Sequence, residues 1–274
     1  MASRPPHDDR PPEGRVFPVP DPARILLIRP SALGDVCRTV PVLAALRAGY
    51  PGASIDWLVN DAFAPAIAAH PALRRVVSFP RRRFGAWWRN PAIAGELRRW
   101  LGDLRRERYD LVLDCQGLAR SGFFAWCTRA PRRVGYANAE EMGWLGLNER
   151  VHVPMDQHAV DRMMQVARRA GAAGDGAPDM RLYTPEADAA ALDSRLAGVR
   201  YALLAPTSRW DGKRWPMERF AALAARLLAE GLVEKVAFVG AAGETEQCAP
   251  LSNLAASDPR VVDLVGRTSV GGLM

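Results

Sequence analysis

Ile25-Leu26-Leu27-Ile28-Arg29-Pro30-Ser31-Ala32-Leu33-Gly34-Asp35-Val36 decides how this chain is read. An apolar run ends in a short polar turn, and a helical pattern follows at once. This is a strand–turn–helix unit, with Asp35 standing where the helix begins. Open α/β sheets bind ligands at the carboxyl ends of their strands, so the acid lies at the mouth of a site. The turn is not Gly-x-Gly-x-x-Gly, which removes the dinucleotide fingerprint and with it an NAD dehydrogenase. Such a turn holds one carboxylate near a substrate rather than wrapping a pyrophosphate. The helix dipole favours an anion in the first turn. From the residues alone Asp35 is either that functional acid or an ordinary N-terminal helix acid.

Outward from this unit, strand-like runs alternate with helical patterns. Residues 24–29 read as a strand and 33–48 as its helix. Strands follow at 54–59, 75–79 and 111–114, with a helix at 91–108 and shorter strands at 132–134 and 151–153. The alternation predicts a parallel sheet wrapped by helices, its Leu-rich or β-branched strands covered on both faces. A helix at 157–170 and a Gly/Pro-rich loop at 171–179 mark a boundary. A second α/β series follows: strand 201–205, helix 216–230, strand 235–239, helix 244–255 and strand 261–264. Pro216 and Gly231 punctuate the ends of its first helix. The expected division is 1–22 as a disordered tail, 23–170 as an N-terminal Rossmann-like domain, 171–197 as linker and helix, and 198–274 as a partial C-terminal Rossmann-like domain. Three strands and two helices make a small half-sheet core, so this series is expected to be cut off mid-domain.

Composition narrows the class further. A chain of 274 residues, 49% hydrophobic, can fill one large core or two ordinary ones. The net charge of +7 is concentrated: between Arg74 and Arg108 eleven arginines oppose Glu96, Asp103 and Glu107, leaving +8 there and near neutrality elsewhere. Such a patch suits an anionic partner, either nucleic acid or an anionic glycolipid, or else is a solvated helix face. The interleaved aromatic platform of common nucleic-acid modules is missing. Cys37, Cys115, Cys127 and Cys248 form no Cys-x-x-Cys pair, which argues against a zinc site or disulfide framework and suits a reducing compartment. No stretch is long and apolar enough to span a membrane, and residues 1–22 hold no signal-peptide core, so the expected location is the cytoplasm.

Several motifs, in order, resemble the heptosyltransferases of glycosyltransferase family 9, which add heptose to the lipopolysaccharide inner core. They are Ser31-Ala32-Leu33-Gly34-Asp35-Val36, Thr39-Val40-Pro41-Val42-Leu43, Trp57-Leu58-Val59, His70-Pro71, Tyr109-Asp110-Leu111-Val112-Leu113-Asp114, Gln116-Gly117-Leu118 and Gln157-His158-Ala159-Val160-Asp161-Arg162. In the second series they are Thr207-Ser208-Arg209, Lys213-Arg214-Trp215-Pro216 and Gly240-Ala241-Ala242-Gly243-Glu244. The resemblance implies an α/β fold of the GT-B type: two Rossmann-like domains with parallel sheets across a cleft, the acceptor held by the N-terminal domain and the donor by the C-terminal one. It also implies an inverting, metal-independent transferase. The chain has no Asp-x-Asp pair and no clustered His or Cys ligands, so neither metal nor cofactor is expected. The implied partners are a nucleotide-sugar donor, ADP-heptose, and an anionic glycolipid acceptor, with peripheral contact to the inner membrane and no nucleic acid. A non-catalytic module that holds an anionic glycan is the alternative.

The resemblance also assigns roles. Asp35 is the implied general base, since a single displacement needs one carboxylate to take the acceptor hydroxyl's proton. Ser31 and Gly34 shape the turn, with Gly34 letting a ligand approach the backbone. Arg81, Arg82 and Arg83, at the carboxyl end of the third strand, match basic residues that meet acceptor phosphates or carboxylates, as does Arg120; guanidinium forks suit that task. As residues alone, Arg81–Arg83 also read as a solvated turn. Thr207, Ser208 and Lys213 are implied donor residues that hold a diphosphate and stabilise the leaving group. Lys213 is one of only two lysines, beside Lys235. Glu244 is either a ribose ligand or a helix-start acid. His158 is a cleft residue or a helix cap, and Trp87 and Trp88 are an acceptor lid, a lipid-facing patch or core. Glu140 departs from the family, which commonly has an arginine there, so the acceptor need not be the usual inner-core sugar. An Asp/Asn-Thr/Ser-Gly-Pro turn of the family is not found up to Met274.

Overall fold

The computed structural model describes residues 19–173, 178–208 and 210–274. Most of the expected tail, part of the 171–179 loop and Arg209 therefore lie outside the described residues. The chain divides into two compact units: the described residues up to Ala64 with His70–Arg181, and Pro65–Ala69 with Leu182–Met274.

The first unit alternates strands and helices in the order β1 (Arg24–Ile28), α1 (Leu33–Arg38), α2 (Val40–Gly49), β2 (Ser54–Asn60), β3 (Arg75–Phe79), α3 (Arg81–Phe84), α4 (Pro91–Arg106), β4 (Leu111–Asp114), α5 (Ala119–Thr128), β5 (Arg132–Tyr136), β6 (Glu149–Val151) and α6 (Ala159–Arg169). All strand pairings are parallel, and the sheet runs β3-β2-β1-β4-β5-β6. Ile25 of β1 lies beside Ile55 of β2 and Leu111 of β4. Ile25, Leu26, Leu27 and Ile28 are fully buried, because helices cover both faces of the central strands. Each such side chain is worth about 1.5–3 kcal/mol in burial. The strand order reverses between β1 and β4, and the crevice outside their carboxyl ends is where this topology binds ligands.

Local chemistry corrects several sequence expectations. The single helix expected over 33–48 is two, α1 and α2, joined at Thr39. Pro41 has no amide hydrogen to continue the ladder, and it sits in the first turn of α2, where none is needed. The buried Thr39 hydroxyl donates to the Asp35 carbonyl at 2.7 Å. The helix α5 has no counterpart among the sequence-derived elements. Residues 81–83 are not an open turn but the short helix α3. The strand expected at 151–153 sits two residues earlier, as β6. Away from the carboxyl ends, fully buried Asp56 accepts from Arg74 at 2.7 Å, from Arg75 at 2.9 Å and from the Tyr109 hydroxyl at 2.6 Å. This network ties β2, β3 and the start of β4 together.

The second unit comprises α7 (Glu186–Leu196), β7 (Tyr201–Leu204), α8 (Met217–Ala229), β8 (Lys235–Phe238), α9 (Ala249–Ser257) and β9 (Val261–Asp263), with a parallel sheet β7-β8-β9. Leu204, Leu228, Val236, Phe238, Leu251 and Val261 form its core. Two expectations fail here. Tyr201 and Leu203 on one face of β7 are 46% and 50% exposed, so this edge strand is not covered on both faces. The helix expected over 244–255 begins only at Ala249, with proline in its first turn, and short 3-10 turns at Ala242–Glu244 and Glu246–Cys248 precede it.

Candidate functional site

The loops after β1 and β4 leave adjacent strands at the point where the order reverses, and together with the end of β5, the segment after it and α6 they enclose a cavity of about 300 Å³. Arg29, Asp35, Gln116, Tyr136, Asn138, Glu140 and Arg162 are among its walls. Asp35 projects from α1 with its side chain 36% exposed, and its Oδ2 lies 3.0 Å from Arg29 Nη2. The other oxygen, Oδ1, has only a long contact of 3.8 Å to Arg38. The carboxylate is thus tethered through one oxygen and lightly engaged through the other. Since α1 has six residues, the guanidinium of Arg29, rather than a long helix dipole, dominates the charge around Asp35.

Arg29 follows β1 directly and is largely buried. Its Nη1 donates to the carbonyl of Cys115, so one side chain bridges the two loops. The loop after β4 is knotted by Asp114. Its Oδ1 accepts from the amides of Gln116 at 2.9 Å and Gly117 at 3.2 Å, and its Oδ2 accepts from Ser121 Oγ at 2.7 Å. Burial raises the Asp114 carboxyl above its usual range, opposed by these three hydrogen bonds and by Arg29. The same burial pushes the neighbouring Cys115 thiol up to about 12, so it is no nucleophile. Gly117 has a φ of +73°, and a Cβ there would lie 2.9 Å from the Tyr136 ring, so the loop requires glycine. The Ser31 amide donates to Gln116 Oε1 at 3.2 Å and closes the junction.

Three polar atoms of the cavity-lining residues have no hydrogen-bond partner among the described residues: Arg29 Nε, Asn138 Oδ1 and Arg162 Nε. Buried polar atoms are seldom left so, and each such group is a place where a ligand or solvent is expected. Arg29, Gln116, Asn138 and Arg162 are the residues sequence reasoning passes over as site residues. The signal for Arg29 is present, since it is the first polar residue after the first strand.

The other expected acceptor residues lie elsewhere. At Gly34 no atom stands within 4 Å of where a Cβ would be, and its φ is not left-handed, so the turn itself does not require glycine. Arg83 is not available to a ligand: its fork grips Glu96 of α4 at 2.6 and 2.7 Å. Arg81 and Arg120 meet, not at Asp35, but at the rim of a second, apolar cavity of about 490 Å³ beside Trp87 and Phe123. Arg82 is exposed on α3. The odd residue Glu140 does line the Asp35 cavity. His158 caps α6, its Nδ1 accepting from the Val160 amide at 3.4 Å.

In the second unit, the loops after β7 and β8 meet. Thr207 Oγ1 donates to Glu244 Oε2 at 2.7 Å, and the Ala241 amide donates to the same oxygen at 2.7 Å. Glu244 thus caps the start of the 3-10 turn Ala242–Glu244 and, through Thr207, also locks two loops at the carboxyl ends of adjacent strands. Ser208 accepts from the Trp210 amide at 3.4 Å through its hydroxyl and from Arg214 Nε at 2.6 Å through its carbonyl. Lys213 lies exposed in the 3-10 turn Asp211–Lys213. Among the described residues no three His, Cys, Asp or Glu side chains are grouped to hold a metal ion.

The model of glycosyltransferase family 9 (heptosyltransferase) matches residues 97–274. This chain belongs to that family. It is 29% identical over 234 residues to lipopolysaccharide heptosyltransferase 1 of Escherichia coli strain K12, a match covering 84% of this chain and 72% of that protein. It is 31% identical over 241 residues to lipopolysaccharide heptosyltransferase 1 of Pseudomonas aeruginosa, covering 84% of this chain and 64% of that protein. Among solved structures, the E. coli heptosyltransferase WaaC with ADP-2-deoxy-2-fluoro heptose superimposes with a TM-score of 0.76 at 26% identity, over 91% of this chain and 78% of that one. The fold class is accordingly α/β of the GT-B type, with two Rossmann-like units built on parallel sheets.

Proposed function

We propose that this chain transfers heptose, or a related sugar, from ADP-heptose to an anionic lipopolysaccharide core-type acceptor, with inversion and without a metal. In this reading residues 23–170 bind the acceptor, 198–274 bind the donor and 171–197 connect them, in the cytoplasm. An acceptor hydroxyl attacks the anomeric carbon of the donor. As the new C–O bond forms, the bond to the diphosphate breaks, its electron pair leaves with ADP, and the hydroxyl proton passes to Asp35.

The observation that carries the reading is Asp35 in a cavity whose Arg29, Asn138 and Arg162 hold unpartnered polar atoms. One carboxylate oxygen is fixed by Arg29, and the other is left to accept a proton. Ser31 and Gly34 form the acceptor's side of the turn, and the open space at Gly34 leaves room for a sugar. Arg81, Arg82 and Arg120 serve the acceptor's anionic groups at a distance from the chemistry, while Arg83 braces α3 against α4. On the donor side, Thr207, Ser208 and Glu244 form a fixed platform, and the Lys213 ammonium meets the diphosphate as charge builds on the leaving group. The choice of ADP-heptose is supported by the related WaaC structure, which holds an ADP-heptose analogue.

Asp35→Asn tests the assignment. ADP release in the presence of acceptor is expected to fall by about 10²–10⁴-fold, with ADP-heptose affinity by calorimetry at its wild-type value. Undiminished turnover overturns the base. A wild-type protein that fails to bind ADP-heptose overturns the transferase reading altogether.

A further inference from the structure

Gln116 opens the Gln116-Gly117-Leu118 motif, and the reaction as described gives that motif no part. Its side chain has one end fixed and one end free. The Ser31 amide is a donor, so the oxygen of the Gln116 carboxamide must face it, and Oε1 accepts at 3.2 Å. Nε2, with its two N–H donors, therefore points the other way. Among the described residues Nε2 has no hydrogen-bond partner, and Gln116 lines the Asp35 cavity.

The residue is held from several sides. Its backbone amide donates to the buried Asp114 Oδ1 at 2.9 Å, and the Gly117 amide donates to the same oxygen at 3.2 Å. The Gly117 carbonyl in turn accepts from the Glu140 amide at 2.9 Å. Across the junction, Ser31 lies four residues before Asp35. One clasp thus ties a carboxamide donor to the turn that carries the proposed base. A group fixed in this way loses little freedom when it is used, which is what holding a substrate in register requires. A purely structural clasp has no use for the nitrogen, since a carboxylate in the same place accepts from Ser31 equally well.

The cavity therefore offers two opposite functions: Asp35 accepts a hydrogen and Gln116 gives one. Two hydroxyls of one sugar are complementary to that pair. The first yields its proton to the carboxylate, and the oxygen of the second takes a hydrogen from the carboxamide. At about 300 Å³ the cavity is at the small end of ligand sites, the scale of a sugar ring rather than of a lipid or a whole nucleotide-sugar. We propose that Gln116 Nε2 donates to a second hydroxyl oxygen of the acceptor sugar and so sets the reacting hydroxyl against Asp35. This rests on the transferase reading above, and it narrows the acceptor to a sugar whose reacting hydroxyl has another within reach of the same cavity.

The test is calorimetric binding of a soluble, deacylated core-type acceptor to the whole protein without donor, repeated with a set of its monodeoxy analogues. For wild type, one analogue that keeps the reacting hydroxyl is expected to bind about tenfold more weakly than the parent, because the carboxamide is left without its partner. Gln116→Glu keeps an oxygen for the Ser31 amide and removes both donors. Gln116→Met keeps the bulk and removes the clasp as well. In both variants that analogue and the parent acceptor are expected to bind alike, and the thermal midpoint of Gln116→Glu stays at the wild-type value. In the transfer assay the KM for the parent acceptor rises about tenfold in Gln116→Glu, while the KM for ADP-heptose does not move. The proposal is overturned when every analogue with the reacting hydroxyl binds wild type like the parent, when the deoxy penalty survives in Gln116→Glu, or when wild type binds no acceptor. Acceptor binding that shows the penalty, in a protein that releases no ADP from ADP-heptose, sinks the transferase reading and leaves the Gln116 contact standing.

Discussion

Arg29 holds together the parts of the site that have to stay in register. Its Nη2 engages Asp35 Oδ2 at 3.0 Å, its Nη1 takes the Cys115 carbonyl, and its Nε lies buried without a partner. A planar fork can hold a carboxylate from one loop and a carbonyl from the next at a fixed separation, and an ammonium cannot. Arg29→Met keeps the side chain's bulk and removes both contacts. The carboxylate then keeps only the long Arg38 contact at 3.8 Å and loses its orientation. We expect kcat to fall by about 10²-fold, the cost of a misplaced reacting group, with the KM for ADP-heptose unchanged because the proposed donor platform lies in the second unit. Arg29→Lys should recover little of the loss. A rise in donor KM with kcat intact would mean that Arg29 binds the nucleotide rather than positions Asp35.

The packing of α5 against the 3-10 segment Glu140–Gly146 shows how an element can be dictated by contacts far along the chain. A Cβ on Gly122 would lie 2.0 Å from the Gly143 carbonyl, and one on Gly146 would lie 1.9 Å from that of Gly122. Backbone meets backbone, and neither side can yield as a flexible side chain would. Gly122→Ala is therefore expected to destabilise the protein by about 2–3 kcal/mol, lowering the thermal midpoint by about 5–10 °C. Because the displaced segment carries Glu140 into the Asp35 cavity, activity should fall even at temperatures where the variant stays folded. Wild-type stability in calorimetry would show that the two backbones can part freely. This contact also explains what the sequence hides. The β1 run and the Asp35 turn are local and legible. The helix α5 is not, since a glycine in its interior argues against helix until its partner segment is known. The splits at Pro41 and before Ala249 were readable, because proline in a first turn marks a new start. Arg81 and Arg120 looked like parts of one acceptor site with Asp35. The sheet order, with β3 at its far edge, separates Arg81 from it, while Arg120, on the helix after β4, lines the apolar cavity instead.

The two sheets differ in how much of their backbone is shielded, and this sets an order of local opening. In the six-stranded sheet β1 has β2 on one side and β4 on the other, and Leu26, Leu27 and Ile28 are fully buried. In the three-stranded sheet only β8 has two neighbours, and β7 exposes about half of Tyr201 and Leu203. Opening free energies follow burial and pairing, so amides of β1 and β4 should exchange slowest, those of β8 next, and those of β7 and β9 fastest. Mass-spectrometric hydrogen exchange reads this ranking directly. A ligand adds protection where it is bound, by mass action on the closed state. ADP-heptose should therefore slow exchange in the loop after β7, around Thr207 and Lys213, and around Glu244 after β8, while β1 stays as it was. Those loops hang from the less protected sheet, so their gain should be large. Protection appearing instead at Arg29–Asp35 would place the nucleotide on the first unit and reverse the proposed division of donor and acceptor. Uniform exchange across both sheets would mean that the two units open as one cooperative block despite their unequal cores.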